Sequence, residues 1–199
     1  MVKRCRTRLS LPFTGEWLVG WGGDTKRLNI HHDVPNQRVA FDFVIVDGSG
    51  NSHRGQGKQN EDYYAYGQPI FAPTDGSVIE VINGVRENAP GSMNSYAAVG
   101  NAVLIQHRKD EISVLAHLQP GRIAIRAGDF VTRGQRIGSC GNSGNSSEPH
   151  LHFHLQDHPT LQEGIGVKCV FEKVIVNTRG QDVLKPCYSP RKGDVIRPG

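Results

Sequence analysis

The sequence predicts a mostly β protein, an antiparallel β-sheet domain with long loops that wall a groove. Two observations support this fold class. Helical periodicity is nearly absent, and short runs rich in Val, Ile and Phe alternate with Gly, Pro, Asn and Asp, which is typical of strands and turns. The chain has 199 residues, of which 37% are hydrophobic, enough to build one domain around a real core.

Seven segments have the composition of strands, and turn signals such as Asp47-Gly48 and Pro120-Gly121 separate them. Two packed sheets or a partly open barrel would accommodate them. The predicted strands are Ala40–Val46, Ser77–Ile82, Ala102–His107, Ile112–Leu118, Arg136–Ser139, His150–Gln156 and Phe171–Val176.

Two long polar stretches, Gly48–Gly67 and Asn88–Val99, interrupt the strand pattern. Loops of this length in a compact β domain are usually functional or mobile, so we expect both to wall a cleft. We divide the chain into an N-terminal extension (1–20), a main domain (21–178) and a C-terminal tail (179–199) that runs over the surface.

The formal net charge is +4, and the sequence pI is about 9.0. This balance favours anionic partners such as a cell wall, but Lys and Arg are scattered, so we expect no nucleic-acid partner. No apolar window approaches the 18 residues of a transmembrane helix, and no secretory signal is visible. The four cysteines allow three disulfide pairings or free thiols, and the oligomeric state stays open.

The segment from Pro149 to His154 holds three alternating histidines. Residues two apart on a strand share a face, so His150 and His152 point the same way, while Leu151 and Phe153 face the core. Neutral imidazole is a favoured zinc ligand, and one histidine of such a pair can bind metal while the other reaches a water molecule. His154 has the same parity and is interpreted as a supporting or surface residue.

A second candidate element is Asp42, which lies inside an otherwise apolar strand. A carboxylate there is costly unless it is paired or bound to a cation. An ion pair with Arg38 is one interpretation, and a metal site with an upstream histidine, His31 or His32, is the other.

His117 also interrupts an apolar strand and is a candidate for electrostatic stabilisation at a reacting carbonyl. Two histidines and one aspartate would leave the fourth tetrahedral position of zinc to water, as in catalytic sites. The helical zinc-protease motifs, the Gly-x-Ser-x-Gly motif and the Walker loop are absent from the sequence.

Seven segments, in order from about Trp21 to Leu155, resemble the lysostaphin-type zinc metallopeptidases, and the last of them is highly specific. They are Trp21-Gly-Gly, Asn29-Ile-His31, Gln37-Arg38-Val-Ala-Phe-Asp42-Phe, Glu61-Asp62-Tyr63, Ile70-Phe-Ala-Pro-Thr-Asp-Gly, Ala116-His117-Leu118 and Gly141-Asn-Ser-Gly-Asn-Ser-Ser-Glu-Pro-His-Leu-His-Phe. The resemblance implies a β-sheet fold related to the duplicated hybrid motif and a role outside the cytoplasm, in the periplasm, cell wall or medium.

The resemblance further implies one Zn²⁺ per chain, bound by Asp42, His152 and an upstream histidine. His117 and His150 would activate water and stabilise the oxyanion, and either could be the base. Many members have the first histidine only four residues before the aspartate, whereas a loop intervenes here. A subgroup with an Asn-x-His…Gln-Arg-x-Ala-x-Asp pattern looks closer, which favours His31 over His32.

The sequence therefore predicts a zinc metalloendopeptidase acting on peptides of bacterial peptidoglycan, in stem peptides or cross-bridges. The main alternative is a catalytically inactive cell-wall-binding or activator module of the same fold. A phosphocarrier domain and a carbohydrate-binding module are further alternatives. The bond that is cleaved is not predicted.

Overall fold

The computed structural model describes residues 2–199, and within them the only helices are two short 3-10 turns, Asn60–Asp62 and Ser95–Ala97. None of the described helices is long and apolar enough to cross a membrane. The strands are β1 (Trp17–Trp21), β2 (Phe41–Val44), β3 (Pro69–Phe71), β4 (Gly76–Ile82), β5 (Asn101–Arg108), β6 (Glu111–Leu118), β7 (Phe130–Val131), β8 (Arg136–Ser139), β9 (Leu151–Gln156), β10 (Gly166–Val167), β11 (Phe171–Thr178), β12 (Gln181–Tyr188) and β13 (Val195–Pro198).

Most strands join one sheet in the order β12-β11-β13-β1-β2-β9-β6-β5-β4-β7, with β10 attached to β9. The remaining two, β3 and β8, pair with each other. All pairings between named strands are antiparallel, so the predicted fold class is confirmed. All seven predicted strands are present, with ends that differ from the prediction by at most two residues.

Six further strands were not anticipated, and three of them extend the main sheet on one side. β1 lies between β13 and β2, and β12 forms the outer edge beside β11. Residues 179–199 thus contribute two strands to the sheet. The domain boundaries given above remain a prediction, but the sheet itself continues past both of them.

The core lies against one face of the central strands. Phe41 and Phe43 of β2 and Phe153 of β9 are at most 1% exposed and belong to a single apolar cluster. Leu9 and Phe13, from the segment before β1, are buried in the same cluster. Because strand side chains alternate between faces, Asp42 and the even-numbered residues of β9 are directed to the opposite face.

β6 departs from this alternation near its end. Asn101 of β5 pairs with Leu118, whereas Val103 pairs with Leu115, so β6 carries one extra residue. His117 within this bulge has a φ of 63°, a left-handed conformation that is rare for residues other than glycine. Leu115 and Leu118 both reach the core, so the bulge directs His117 away from the core.

Phe43→Ala is expected to lower the free energy of unfolding by about 3–5 kcal/mol, because it leaves a cavity in the cluster beneath Asp42. Phe130→Ala is the matched control, since Phe130 is 63% exposed and its truncation should cost less than about 0.5 kcal/mol. Urea unfolding of both variants measures the difference. Equal losses in the two variants would contradict this position of the core.

Candidate metal centre

The centre of the site is the carboxylate of Asp42, which is buried and surrounded by imidazoles. Oδ2 lies 2.8 Å from Nε2 of His31, and Oδ1 lies 2.8 Å from Nδ1 of His152. Nε2 of His150 is 3.7 Å from the same Oδ1. Arg38 makes no ion pair with Asp42, so the Arg38 interpretation is wrong and the carboxylate faces histidines instead.

Strand pairing brings Asp42 and His152 together. Asp42 of β2 is the direct partner of His152 of β9, and His152 in turn pairs with Ala116 of β6. One donor atom from each of His31, Asp42 and His152 lies within 4.8 Å of the other two, a spacing that could hold a metal ion. Sequence reasoning proposed these three residues as ligands, and the structure brings them together.

His31 reaches this point from an irregular segment, residues 25–39, held by Asn29. The buried Asn29 amide donates hydrogen bonds to the carbonyls of Gly23, Arg38 and Ala40, and its Oδ1 accepts one from the backbone N–H of His31. These bonds explain how a ligand candidate can lie eleven positions before Asp42 and still meet it.

The neighbouring candidate, His32, points elsewhere. Its Nδ1 lies 3.2 Å from Asp33, and it takes no part in the cluster around Asp42. Of the two histidines left open by the sequence, the structure therefore places His31 in the site.

The rings of His117 and His150 are oriented by the same kind of hydrogen bond. Nδ1 of His117 lies 2.8 Å from the carbonyl of Ser143, and Nδ1 of His150 lies 2.8 Å from that of Glu148. A carbonyl only accepts, so each Nδ1 carries the hydrogen and each Nε2 of the neutral ring is left as an acceptor. Their ring centroids are 4.8 Å apart. The pair can therefore take up protons at the site.

Burial and neighbouring charges shift the proton affinities of these groups. Burial alone would raise the pKa of Asp42, but the surrounding imidazoles of His150, His152 and His31 hold the pKa well below its usual range. Burial, reinforced by His150 and His152, holds the pKa of His117 well below that of a free imidazole. The site is therefore a carboxylate next to a neutral His117 near pH 7.

The segment between β8 and β9, residues 140–150, carries the most specific motif of the sequence and is tightly anchored. Ser143 Oγ donates to the carbonyl of Leu118, and the backbone N–H of Gly141 donates to that of His117. Gly144 has a φ of 80°, and a Cβ there would lie 2.3 Å from the backbone N of Gly100. This contact with the backbone before β5 requires glycine. The two hydrogen bonds to Leu118 and His117 hold the segment against the bulge of β6.

Two cavities of about 410 and 230 Å³ adjoin the site, and His31 and His117 line both of them. One predicted wall is present: Met93 lines the larger cavity, and Ala98 and Val99 line the smaller one. No residue of the second predicted wall, Gly48–Gly67, lines either of these two cavities.

The second wall comes instead from the segment that carries His31, through Ile30 and Val34. The loop 48–67 contacts the segments that flank the site through two hydrogen bonds. Ser52 donates to the carboxylate of Glu148, and Asn60 donates to the carbonyl of Asn88. Sequence reasoning recognised both long loops but missed the shorter wall, whose only signal was the Asn29-to-Asp42 spacing.

The chain is similar to the peptidoglycan DD-endopeptidase ShyC of Vibrio cholerae serotype O1, with 36% identity over 71% of this chain and 30% of the relative. It is also similar to the murein hydrolase activator NlpD of Salmonella dublin, with 32% identity over 60% of this chain and 28% of the relative. The chain thus spans less than a third of each of these relatives.

Among solved structures, the chain is similar to a zinc-containing peptidase from Vibrio cholerae, with a TM-score of 0.48 and 23% identity over 80% of this chain and 39% of that one. The model of peptidase family M23 matches residues 58–163, more than half of the chain. The match includes His117, His150 and His152, whereas His31 and Asp42 precede it. The predicted lysostaphin-type family is confirmed: the chain belongs to peptidase family M23.

Proposed function

We propose that the chain is a zinc-dependent endopeptidase that hydrolyses peptide bonds in the stem peptides or cross-bridges of bacterial peptidoglycan. One observation carries the proposal: the donor atoms of His31, Asp42 and His152 converge within 4.8 Å on the floor of a groove, beside two further imidazoles. Membership of a peptidase family and the similarity to a peptidoglycan endopeptidase support the substrate class.

The residues fit a catalytic zinc ion. Two imidazole nitrogens and one carboxylate oxygen are the donor set of catalytic zinc sites, which keep a further position open. Nitrogen and oxygen atoms 2.8 Å apart around a buried carboxylate require a proton or a cation between them. When bound, Zn²⁺ would supply Lewis-acid polarisation of a peptide carbonyl and would acidify a water molecule.

His117 and His150 perform the proton transfers in this proposal. Each uses Nδ1–H for a backbone carbonyl and turns an unprotonated Nε2 to the groove, so each can accept a proton from the attacking water. Once protonated, the same nitrogen can donate to the leaving amine or to the oxyanion. The arrangement suits both rings to both roles, and we leave the base unassigned between them.

The groove suits an extended peptide. Trp21, Val34, Val44 and Met93 give the larger cavity an apolar lining beside the histidines. The two cavities that His31 and His117 line would take the residues before and after the scissile bond. Peptidoglycan lies outside the cytoplasm, so the proposal also requires an extracytoplasmic location.

A second candidate function is a catalytically inactive module that activates other cell-wall hydrolases. The similarity to the murein hydrolase activator NlpD favours it. Against it stands the full set of His31, Asp42, His152, His117 and His150 around one point, which an activator does not need. Metal content and turnover separate the two functions.

His152→Ala and His117→Ala are expected to fail in different ways. The first removes a metal ligand, so the purified protein should lose its zinc and its activity together. The second removes only a proton acceptor, so zinc should be retained while kcat falls by a factor of roughly 10² to 10⁴. Zinc is measured by elemental analysis and kcat by release of new amino groups from peptidoglycan.

His32→Ala is the matched control for this pair, because His32 adjoins His31 and contacts only Asp33. It should keep both zinc and activity. If His152→Ala retains stoichiometric zinc, or His117→Ala cleaves at the wild-type rate, the roles assigned above are wrong.

Digestion of purified peptidoglycan should release products with new amino termini, and mass analysis of them identifies the bond. A chelator should abolish release, and stoichiometric Zn²⁺ should restore it, since the three donors bind one ion. If the wild-type protein releases nothing but raises the turnover of a separate peptidoglycan amidase, the activator function replaces the one proposed here.

A further inference from the structure

A line of buried polar side chains continues from His152 along the same face of β9. Nε2 of His152 lies 3.0 Å from Nδ1 of His154, and Nε2 of His154 lies 3.1 Å from Oε1 of Gln156. His154 and Gln156 are 0% exposed and His152 is 2% exposed, so solvent cannot supply substitute partners. Neither of the two outer residues touches the groove, and the proposed reaction does not use them.

The hydrogen bonds at the Gln156 end of this line can run in only one direction from donor to acceptor. Nε2 of Gln156 donates to the backbone carbonyls of His158 and Thr160, at 2.6 and 3.2 Å. Oε1 of Gln156 also accepts from the side-chain amide of Asn36, at 3.2 Å. Carbonyls only accept hydrogen bonds, so the amide of Gln156 must turn its NH₂ group to them and its oxygen towards His154.

The orientation of Gln156 determines which ring nitrogens of His154 and His152 carry hydrogens. Because Oε1 of Gln156 cannot donate, Nε2 of His154 must carry a hydrogen. A second hydrogen on Nδ1 would make His154 a cation with no counter-charge in contact with it, at a large cost in a buried position. Nδ1 of His154 is therefore an acceptor, and the hydrogen between the rings belongs to Nε2 of His152. Nδ1 of His152, which faces Asp42, is then the nitrogen left for a cation.

The reverse direction is excluded by contacts at the far end. If His154 donated through Nδ1, its Nε2 would be a bare acceptor facing Gln156, and the amide of Gln156 would have to flip. The flipped oxygen would then face the carbonyl oxygens of His158 and Thr160 at 2.6 and 3.2 Å with no hydrogen between them. Unsatisfied buried acceptors of this kind cost about 1–3 kcal/mol each.

We propose that His154 and Gln156 are positioning residues that keep a hydrogen on Nε2 of His152, so that Nδ1 is the nitrogen left to face Asp42 and to bind the metal. The inference rests on the assignment of His152 as a zinc ligand made above. The contact of 2.8 Å between Nδ1 and the carboxylate of Asp42 places that nitrogen at the proposed ligand position.

The same line reaches the segment that carries His31. Asn36, which donates to Gln156, lies five residues after His31, and the carbonyl of Pro35 accepts a hydrogen bond from the N–H of Gly166 in β10. Gln156 therefore contacts both His154, which supports His152, and Asn36, which belongs to the segment that carries His31. One buried hydrogen-bond network thus supports both proposed histidine ligands.

The tautomer of His152 can be read directly in the zinc-free wild-type protein. Two-bond ¹⁵N–¹H correlation spectra of protein labelled with ¹⁵N-histidine distinguish Nε2–H from Nδ1–H rings, and a His152→Asn variant identifies the signal. We expect a hydrogen on Nε2. A ring that carries its hydrogen on Nδ1 alone in folded wild-type protein overturns the proposal, whether or not any variant folds.

His154→Leu and His154→Asn form a matched pair, because the two new side chains have nearly the same shape and only Asn offers an acceptor near the position of Nδ1. In the Leu variant Asp42 becomes the sole partner of His152, so the ring should move to the Nδ1–H tautomer, and zinc must then displace that proton. We expect zinc affinity, measured by competition with a chelating dye, to fall 10- to 100-fold for Leu and to stay within a few-fold of wild type for Asn.

If the Leu variant does not fold, Gln156→Met makes the same test, because it retains the His154 ring but removes the acceptor that orients it. Wild-type zinc affinity together with an Nε2–H ring in the folded Leu or Met variant overturns the proposal. Failure of the proposed function has a different signature: the wild-type protein itself would bind no zinc or cleave no peptidoglycan, whatever the tautomer of His152.

Discussion

A buried carboxylate in the middle of a β-sheet is the constraint on which this structure depends. Asp42 is 8% exposed and lies between aromatic residues that face the core. Such a charge is tolerated only where partners of opposite charge or a cation surround it. Three imidazoles approach it within 4 Å, and they come from two separate parts of the chain. The irregular segment before β2 supplies His31, and the start of β9 supplies His150 and His152.

The register of the sheet alone supplies one of the partners that Asp42 needs. β2 and β9 are neighbours, and the pairing of Asp42 with His152 places a carboxylate beside an imidazole without any loop. The alternation along β9 then sends Phe153 to the core and His154 to the site face, so one strand serves both. Regular alternation along β6 would not direct His117 to the site. A bulge in β6, in which His117 has a left-handed conformation, turns its side chain there instead. Such local strain is often found at functional sites.

Much of this was predictable, because it depends on local pattern. Alternation predicted that His150 and His152 share a face, and an aspartate in an apolar strand marked Asp42 as unusual. Among the strands that were missed, β7 and β10 have only two residues each, and β12 includes Asp, Lys and Pro at the exposed sheet edge. Such strands are defined by their partners, which no local pattern reveals.

The second wall of the groove and the support of His152 depended on contacts between distant segments. The loop 48–67 was a reasonable candidate wall by length, yet it contacts the segments that flank the site through Ser52 and Asn60. Gln156 looked like an ordinary strand residue. Its importance arises only when Asn36, 120 positions earlier, meets it in the folded protein.

The histidines of the site differ in how firmly the fold defines them. His117 and His150 each use one ring nitrogen for a backbone carbonyl, and His152 uses one for His154, so the nitrogen turned to the groove is fixed in all three. His31 is different, since within residues 2–199 its ring nitrogens contact only Asp42, and its side chain is 21% exposed. Its position depends on Asn29, which holds the backbone of His31. The proposed donor set therefore combines a carboxylate and an imidazole that strand pairing brings together with a third group, an imidazole at the groove surface.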